Sequence, residues 1–343
     1  MVFTIQYRIS SGPNSVVYWG INLNEREPIA IKTIGSLSNA NDNYSEYNIL
    51  KKLKHSHIVR TLDWGFIGLD FSTSTGVNIS PILHKDTVVM LLEYMQGGTL
   101  HSYIEKSGAL NERTCKKYLK QLLSAVSHCH QQHVVHRDIK PQNILLDISK
   151  ETLKLADFGS ATVLENLVTE HQRTSSFLCT PLFAAPEVMK FDPYTYKVDI
   201  WSLGCVFIQM ATGKLPFDEF RLHSMPPEEA LTILSRGRYT PQIPRHLSPD
   251  AQDFIDWCLQ IVPAKRASID ELLLHPFMKE GKEDSAKYTS YESDFKENDD
   301  VCKYSVLEQT TIERLDWTDQ DENIQELNLL AALAVPREVN YQD

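Results

Sequence analysis

The chain has 343 residues, with 45 Asp/Glu against 34 Lys/Arg and a formal net charge of −11. No apolar run approaches the roughly 18 residues that a membrane-spanning helix needs. The acidic balance is also the reverse of the basic footprint of a nucleic-acid binder, so neither a membrane span nor a nucleic-acid partner is expected. The charge is unevenly placed. From Lys279 onward 17 Asp/Glu stand against 7 Lys/Arg, whereas residues 1–278 hold 28 against 27. Six cysteines, at 115, 129, 179, 205, 258 and 302, follow no framework spacing. With no charged-then-apolar leader, that scatter predicts a reducing, intracellular setting, cytoplasmic or nuclear.

Phe3, Ile5, Tyr7 and Ile9 alternate with other residues, the period of a strand, and further strands are predicted over 16–23 and 29–34. A helix is predicted over 44–54, where Glu46, Leu50 and Leu53 fall at helical spacing. Residues 61–87 are rich in Gly, Ser and Thr and poorly periodic, as in a strand interrupted by an inserted loop. An apolar strand over 88–93 follows, ended by Gly97-Gly98. Asn111 is a plausible N-cap for a helix on which Cys115, Tyr118, Leu119, Leu122, Leu123 and Val126 share one face. Residues 199–212 form a second, strongly apolar helix, with shorter helical segments up to about 278. The pattern is a small sheet-rich lobe joined to a larger helical lobe, an α+β arrangement.

His136-Arg137-Asp138-Ile139-Lys140-Pro141-Gln142-Asn143, followed by Asp157-Phe158-Gly159, carries the chemistry. Asp138 is suited to orient an attacking hydroxyl, and Lys140 to neutralise charge on a transferred phosphoryl group. Asn143 and Asp157 are oxygen ligands for a hard cation such as Mg²⁺ or Mn²⁺. These stretches resemble the catalytic loop and metal loop of the eukaryotic protein kinases. The resemblance covers roughly residues 3–278 and implies a bilobal kinase fold for residues 1–278. Its N-lobe would run to about 94, its hinge over 93–96 and its C-lobe over about 97–278.

Further residues acquire roles from this resemblance. Ile29-Ala30-Ile31-Lys32 is similar to the strand whose lysine holds the ATP phosphates, and Glu46 would be that lysine's partner. Ser10, Gly12 and Val17 lie in a phosphate loop that keeps only its middle glycine. Pro13 stands where relatives offer an N–H to the terminal phosphate, so weaker ATP binding or slower transfer is expected. Val17, Ala30 and Leu145 would sandwich the adenine, Glu93-Tyr94-Met95 would form the hinge, and Leu92 would guard the pocket behind it. Ala185-Pro186-Glu187 closes the activation segment, with Arg266 as partner of Glu187. Lys140 and Thr180 imply Ser/Thr acceptors on protein substrates.

Arg137 beside Asp138 implies control by an upstream activating kinase at Ser176, with Thr174 and Ser175 nearby, although Thr162 replaces a basic residue of that pocket. Thr99, Gln142 and Gln209 occupy positions where arginine-selecting kinases carry glutamates, so weak selection for basic substrates is expected. The helical lobe, through Leu100-His101-Ser102-Tyr103-Ile104 and His275-Pro276-Phe277, resembles the calcium/calmodulin- and AMP-activated-kinase-like branch. The cluster His128-Cys129-His130, with His133, resembles no zinc spacing and is expected to finish a helix.

Residues 279–343 form an acidic extension, expected to be partly disordered. Ile324, Leu327, Leu330, Ala331 and Ala334 give amphipathic helical spacing near 322–334. Such a helix would pack back on the large lobe or act as a docking or autoinhibitory element. Two other classes compete with an active kinase. A pseudokinase or scaffold with weak ATP binding is suggested by the degraded phosphate loop. A small-molecule kinase of related fold is opposed by Lys140 and by Ala185-Pro186-Glu187.

Overall fold

The computed structural model describes residues 3–12, 15–36, 40–66, 87–164, 181–222, 225 and 227–279. Pro13, the segment 165–180 with Ser176 and Thr180, and the extension beyond 279 lie outside the described residues.

Five antiparallel strands form the first lobe: β1 (Phe3–Ser11), β2 (Val16–Asn22), β3 (Glu27–Ser36), β4 (Thr61–Phe66) and β5 (Thr87–Glu93), in the order β1-β2-β3-β5-β4. The unbroken apolar run of β5 is explained by burial on both faces, as expected for a central strand. Val88, Met90 and Leu92 point into the main core with Ile49, Leu50 and Leu53, whereas Val89 and Leu91 join Tyr18, Ile29 and Ile31 on the opposite face. The period of two therefore fixes the function of β3. With Ile29 and Ile31 on the outer face, Ala30 and Lys32 project toward the other lobe, paired with Leu92 and Met90.

Helix α1 (Ala40–Lys52) lies against this sheet, beginning four residues ahead of the predicted 44–54. Its opening Ala-Asn-Asp-Asn carries no apolar periodicity, which hides the start from a pattern search.

The second lobe is helical. A short helix, α2 (Leu100–Ser107), is capped by Thr99 Oγ1, which accepts from the Ser102 N–H at 3.0 Å. Helix α3 (Glu112–Gln131) begins at Asn111, whose side chain accepts from the Thr114 N–H at 2.9 Å, the predicted N-cap. Two small strand pairs follow from β6 (Val134–Val135), β7 (Ile144–Leu146), β8 (Leu153–Leu155) and β9 (Thr162–Val163): β6 with β9, and β7 with β8. The remaining helices are α4 (Pro186–Met189), α5 (Lys197–Thr212), α6 (Pro227–Ser235), α7 (Pro249–Cys258) and α8 (Ile269–Leu274). Helix α5 is buried around its whole circumference from Val198 to Ala211, which is why its sequence is apolar without a polar face. Gly204 permits its contact with α7, since a Cβ there would sit 2.7 Å from Cys258 Cβ. The sheet-rich lobe and the helical lobe are thus the α+β arrangement expected from sequence. Among the described residues no helix is long and apolar enough to cross a membrane.

One buried ion pair ties α4 to the segment before α8. The Arg266 guanidinium donates to both Glu187 oxygens at 2.7 and 3.0 Å, with the two side chains 0% and 5% exposed. Its remaining donors reach the carbonyls of Lys197 and Gln260, and its plane lies 5.1 Å from the Trp201 ring centroid. Such bidentate geometry satisfies a charge that has lost its water. Replacing Arg266 by alanine strands the Glu187 carboxylate. Arg266→Ala is expected to lower the unfolding free energy by about 3–5 kcal/mol in urea titrations, and a loss under ~1 kcal/mol would contradict this account.

Candidate active site

The two lobes meet at Lys32. Its Nζ lies 2.7 and 2.9 Å from the Glu46 oxygens and 2.6 Å from Asp157 Oδ1. Strand β3 supplies the lysine. Helix α1 supplies Glu46, on the side it turns inward because Ile49, Leu50 and Leu53 are buried. The loop after β8 supplies Asp157. Lys32 and Glu46 are almost fully buried, whereas the Asp157 side chain is 47% exposed and opens onto the cleft. Burial would lower the Lys32 pKa, but the charges of Asp157 and Glu46 outweigh it and raise it above its ordinary value. Burial likewise works against the ionised form of Asp157, yet the neighbouring Lys32 charge and its hydrogen bond bring the carboxyl down to about 2.

Beneath this triad lies the loop from His136 to Asn143. Asp199, fully buried in the first turn of α5, accepts from the backbone N–H of His136 at 3.0 Å and of Arg137 at 2.9 Å, while His130 Nε2 lies 2.8 Å from it. Burial pushes the Asp199 pKa upward. The His130 hydrogen bond, the charges of His130 and His136 and the His136 backbone amide outweigh that push, leaving it below the usual carboxylate range. Arg137 has φ +68°, a left-handed conformation costly for a residue with a side chain. Asp199 holds it there, together with hydrogen bonds from Arg137 to the Ser160 carbonyl and, at 2.8 Å, to the Tyr194 hydroxyl. His136 ties the loop to the metal-loop strand: its Nε2 lies 3.1 Å from the Ala156 carbonyl and its ring packs edge-on against Phe158.

Asp138 is fixed from two sides. Asn143 Nδ2 donates to its Oδ2 at 2.9 Å and to its carbonyl at 2.8 Å, and Lys140 Nζ lies 2.9 Å from Oδ2. The geometry therefore brings Asp138, Lys140 and Asn143 into one cluster, with Asp157 joined to Lys32 above it. Asn143 spends its amide nitrogen on Asp138, and Asp157 directs only Oδ1 toward Lys32. Asn143 Oδ1 and Asp157 Oδ2 have no hydrogen-bond partner among the described residues. Two unengaged oxygens at the cleft suit a hard divalent cation, whose remaining ligands would come from phosphate and water.

Around the cleft, Val17 is the cross-strand partner of Lys32, Ala30 that of Leu92, and Leu145 lies on β7 in the opposite lobe. Leu92 is buried. Ser10 and Gly12 are exposed at the end of β1, where the Gly12 N–H donates to the Ser15 carbonyl at 2.8 Å. The connecting segment from Glu93 is held firmly at both ends. The Glu93 carboxylate accepts from the Arg60 N–H at 2.7 Å and from Lys154 Nζ at 2.6 Å. Gly97 donates to the Leu146 carbonyl at 2.9 Å, an approach so close that a Cβ on Gly97 would meet the Asp147 oxygen at 2.0 Å. Between them, the Met95 N–H makes no hydrogen bond among the described residues and is available to a ligand edge.

The Lys154 contact was missed in the sequence. Strand alternation shows that Lys154 and Leu155 face opposite ways, but not that Lys154 meets Glu93. The Cys-His segment is absorbed by structure: Cys129 is buried, His128 stacks on His55 with centroids 5.2 Å apart, and His130 serves Asp199. Burial raises the Cys115 thiol to about 12 and pushes Cys129, Cys205 and Cys258 higher still.

These features match a known family. Residues 3–278 fit the model of the protein kinase domain, and the chain belongs to that family of ATP-binding transferases that phosphorylate proteins with the help of a divalent metal ion. It is similar to Mitogen-activated protein kinase kinase kinase 3 of Arabidopsis thaliana, with 35% identity over 279 residues covering 79% of this chain and 41% of that protein. Mitogen-activated protein kinase kinase kinase A of Dictyostelium discoideum is 33% identical over 79% of this chain and 27% of its own length. SNF1-related protein kinase catalytic subunit alpha KIN12 of Arabidopsis thaliana is 34% identical over 68% of this chain and 41% of its own. The chain thus spans about two fifths or less of the length of these relatives.

The depressed pKa of Asp157 has a testable sign. Its ion pair with Lys32 contributes stability in full above the ordinary carboxylate value of 3.8, and loses it as pH falls toward about 2. The stability gap between wild type and Asp157→Asn, read by urea titration at several pH values, is expected to be widest near neutrality and to close across that window. A gap independent of pH would contradict the pairing.

Proposed function

We propose that this protein is an active serine/threonine protein kinase. The observation that carries the proposal is the single buried Lys32 held at once by Glu46 and Asp157, above a loop in which Asp138 is oriented by Asn143 and Lys140. In this proposal Lys32 binds the α- and β-phosphates and Glu46 keeps it extended. Asp138 accepts a hydrogen bond from the attacking hydroxyl and takes its proton, and Lys140 offsets negative charge on the phosphoryl group in transit. Asn143 and Asp157 would hold Mg²⁺ or Mn²⁺, which when bound neutralises the phosphate oxygens. The adenine would lie between Val17, Ala30 and Leu145, with Leu92 behind it and the backbone of Glu93 to Met95 at its edge.

The acceptor is assigned to serine and threonine from Lys140 and Thr180. Thr99 caps α2, and the side-chain oxygens of Gln142 and Gln209 are buried without a hydrogen-bond partner in the described structure. None of the three supplies the carboxylate that an upstream arginine would need, so basic residues should be selected weakly. Two relatives carry names that place them as kinases of other kinases, which supports protein kinases as the substrate class. The resemblance of the helical lobe to the calcium/calmodulin- and AMP-activated-kinase-like branch is a second reading. It rests on Leu100–Ile104 and on His275, which is buried, lies 3.1 Å from Asp253 and accepts from the Phe277 N–H.

The test is a Ser/Thr peptide array phosphorylated by the purified full chain with ATP and Mg²⁺. Transfer is expected, falling at least ~10²-fold in Asp138→Asn with nucleotide affinity unchanged. Nucleotide binding without transfer to any peptide would favour the scaffold reading, and a profile dominated by upstream arginine would overturn the inferred selectivity. Two variants probe control of the same activity. Pro13→Ser is expected to tighten nucleotide binding by restoring an N–H donor, and Ser176→Ala to lower activity by removing a phosphate acceptor for Arg137. Unchanged behaviour in either variant would remove the corresponding role.

A further inference from the structure

Helix α3 carries a basic stripe that the catalytic site does not use. Arg113, Lys116, Lys117 and Lys120 fall three and four residues apart, so they share one side of the helix. Arg113 is exposed and the three lysines are half-buried. Glu151 lies 3.0 Å from Lys117, and Glu112 is engaged by the Ser248 hydroxyl at 2.6 Å and its N–H at 2.9 Å. Lys117 also lies over the Tyr118 ring.

The chain leaves the kinase lobe on this stripe. Lys279 is the last described residue, and its carbonyl accepts a hydrogen bond from Lys116 Nζ. The preceding turn is anchored there as well: Lys116 lies over the ring of Phe277, which is itself buried against Phe207 and Phe254. Immediately beyond, residues 280–300 contain 8 Asp/Glu against 3 Lys. The most acidic part of the molecule therefore starts at the middle of a basic helix face.

We propose that this stripe is an intramolecular docking surface whose occupant is the acidic segment 280–300. The distances are compatible. Arg113 and Lys120 are separated by about 10 Å along the helix axis at ~1.5 Å per residue, and an extended chain covers that distance in about three residues. Exposed charge pairs are individually weak. A segment tethered at Lys116, however, meets the stripe at an effective concentration in roughly the millimolar range, so several weak contacts suffice. Docking would lay the extension along the helix that runs directly into the catalytic loop. It does not depend on the catalytic assignment above.

Zero-length carbodiimide cross-linking of the full chain, with light and heavy isotope-labelled copies mixed, tests this. Amide links from Lys116, Lys117 and Lys120 to carboxylates in 280–300 are expected within copies of one label, and they should fall severalfold when salt is raised from about 0.05 to 0.5 M, as the Debye length shrinks. Links joining light to heavy chains would assign the stripe to a second copy and overturn the proposal. Links made mainly to Lys51, Lys52 and Lys54 on the other lobe would do the same, as would no links at all. Proximity alone is separated from docking by Arg113→Glu, which removes no reactive amine and changes an exposed residue. It should cut the yield at Lys116 and Lys120 by about threefold. An unchanged yield would show that the segment merely hangs nearby, and would sink the idea.

Discussion

The carboxylate of Asp199 gathers two backbone amides and one imidazole inside the protein, and the placement of the catalytic loop follows from that arrangement. The constraint works because α5 cannot move. Its whole surface is buried, so an oxygen pair at its first turn is a fixed point in the core. The loop above it is strained at Arg137, and Asp157 adopts a second left-handed conformation with φ +60°. Conformations of this kind cost of order 1–3 kcal/mol each and persist only where the surroundings over-determine them. Asp199 below and His136 alongside supply that determination, and Asp138 inherits its position from it.

The upper half of the site is built on a different principle. Lys32, Glu46 and Asp157 come from a strand, a helix and a loop, and the lysine charge between them holds together two carboxylates that repel each other. Such a cluster is sensitive to the position of α1, because the carboxylate of Glu46 is useful only while that helix faces the lysine. The small lobe therefore contributes to chemistry through a helix whose neighbours are mainly apolar. The large lobe contributes through backbone hydrogen bonds to one buried acid. In the proposed function, binding of phosphate and orientation of the acceptor would in this way be supported by separate parts of the core.

Much of this was legible in the sequence because it is local. The alternation around Lys32 fixes which way the lysine points, Asn111 announces the start of α3, and the run from His136 to Asn143 contains its own polar partners. The family resemblance supplied the long-range pairs Lys32–Glu46 and Glu187–Arg266, which no periodicity could have joined. What stayed hidden is non-local and has no pattern of its own. The beginning of α1 lacks apolar residues. Lys154 looks like the polar face of a short strand until Glu93 is placed beside it, and the Tyr194 hydroxyl gives no sign that it meets Arg137. Histidines 128 and 130 suggested metal chemistry by composition alone, and their contacts show why composition misleads: one stacks on a neighbouring ring, the other caps a buried acid.

The anchoring of the inter-lobe connection has a mechanical consequence. Glu93 is bolted to Lys154 of the large lobe on one side, and Gly97 is pressed against the carbonyls of Leu146 and Asp147 on the other. Both anchors lie on the large lobe, so an opening of the cleft that keeps these contacts leaves Tyr94, Met95 and Gln96 with that lobe and must bend the chain before Glu93. The mouth of the cleft could then widen while the backbone edge from Tyr94 to Gln96 travels with the large lobe, so a ligand seated on that edge would meet the same wall whether the lobes stand open or closed.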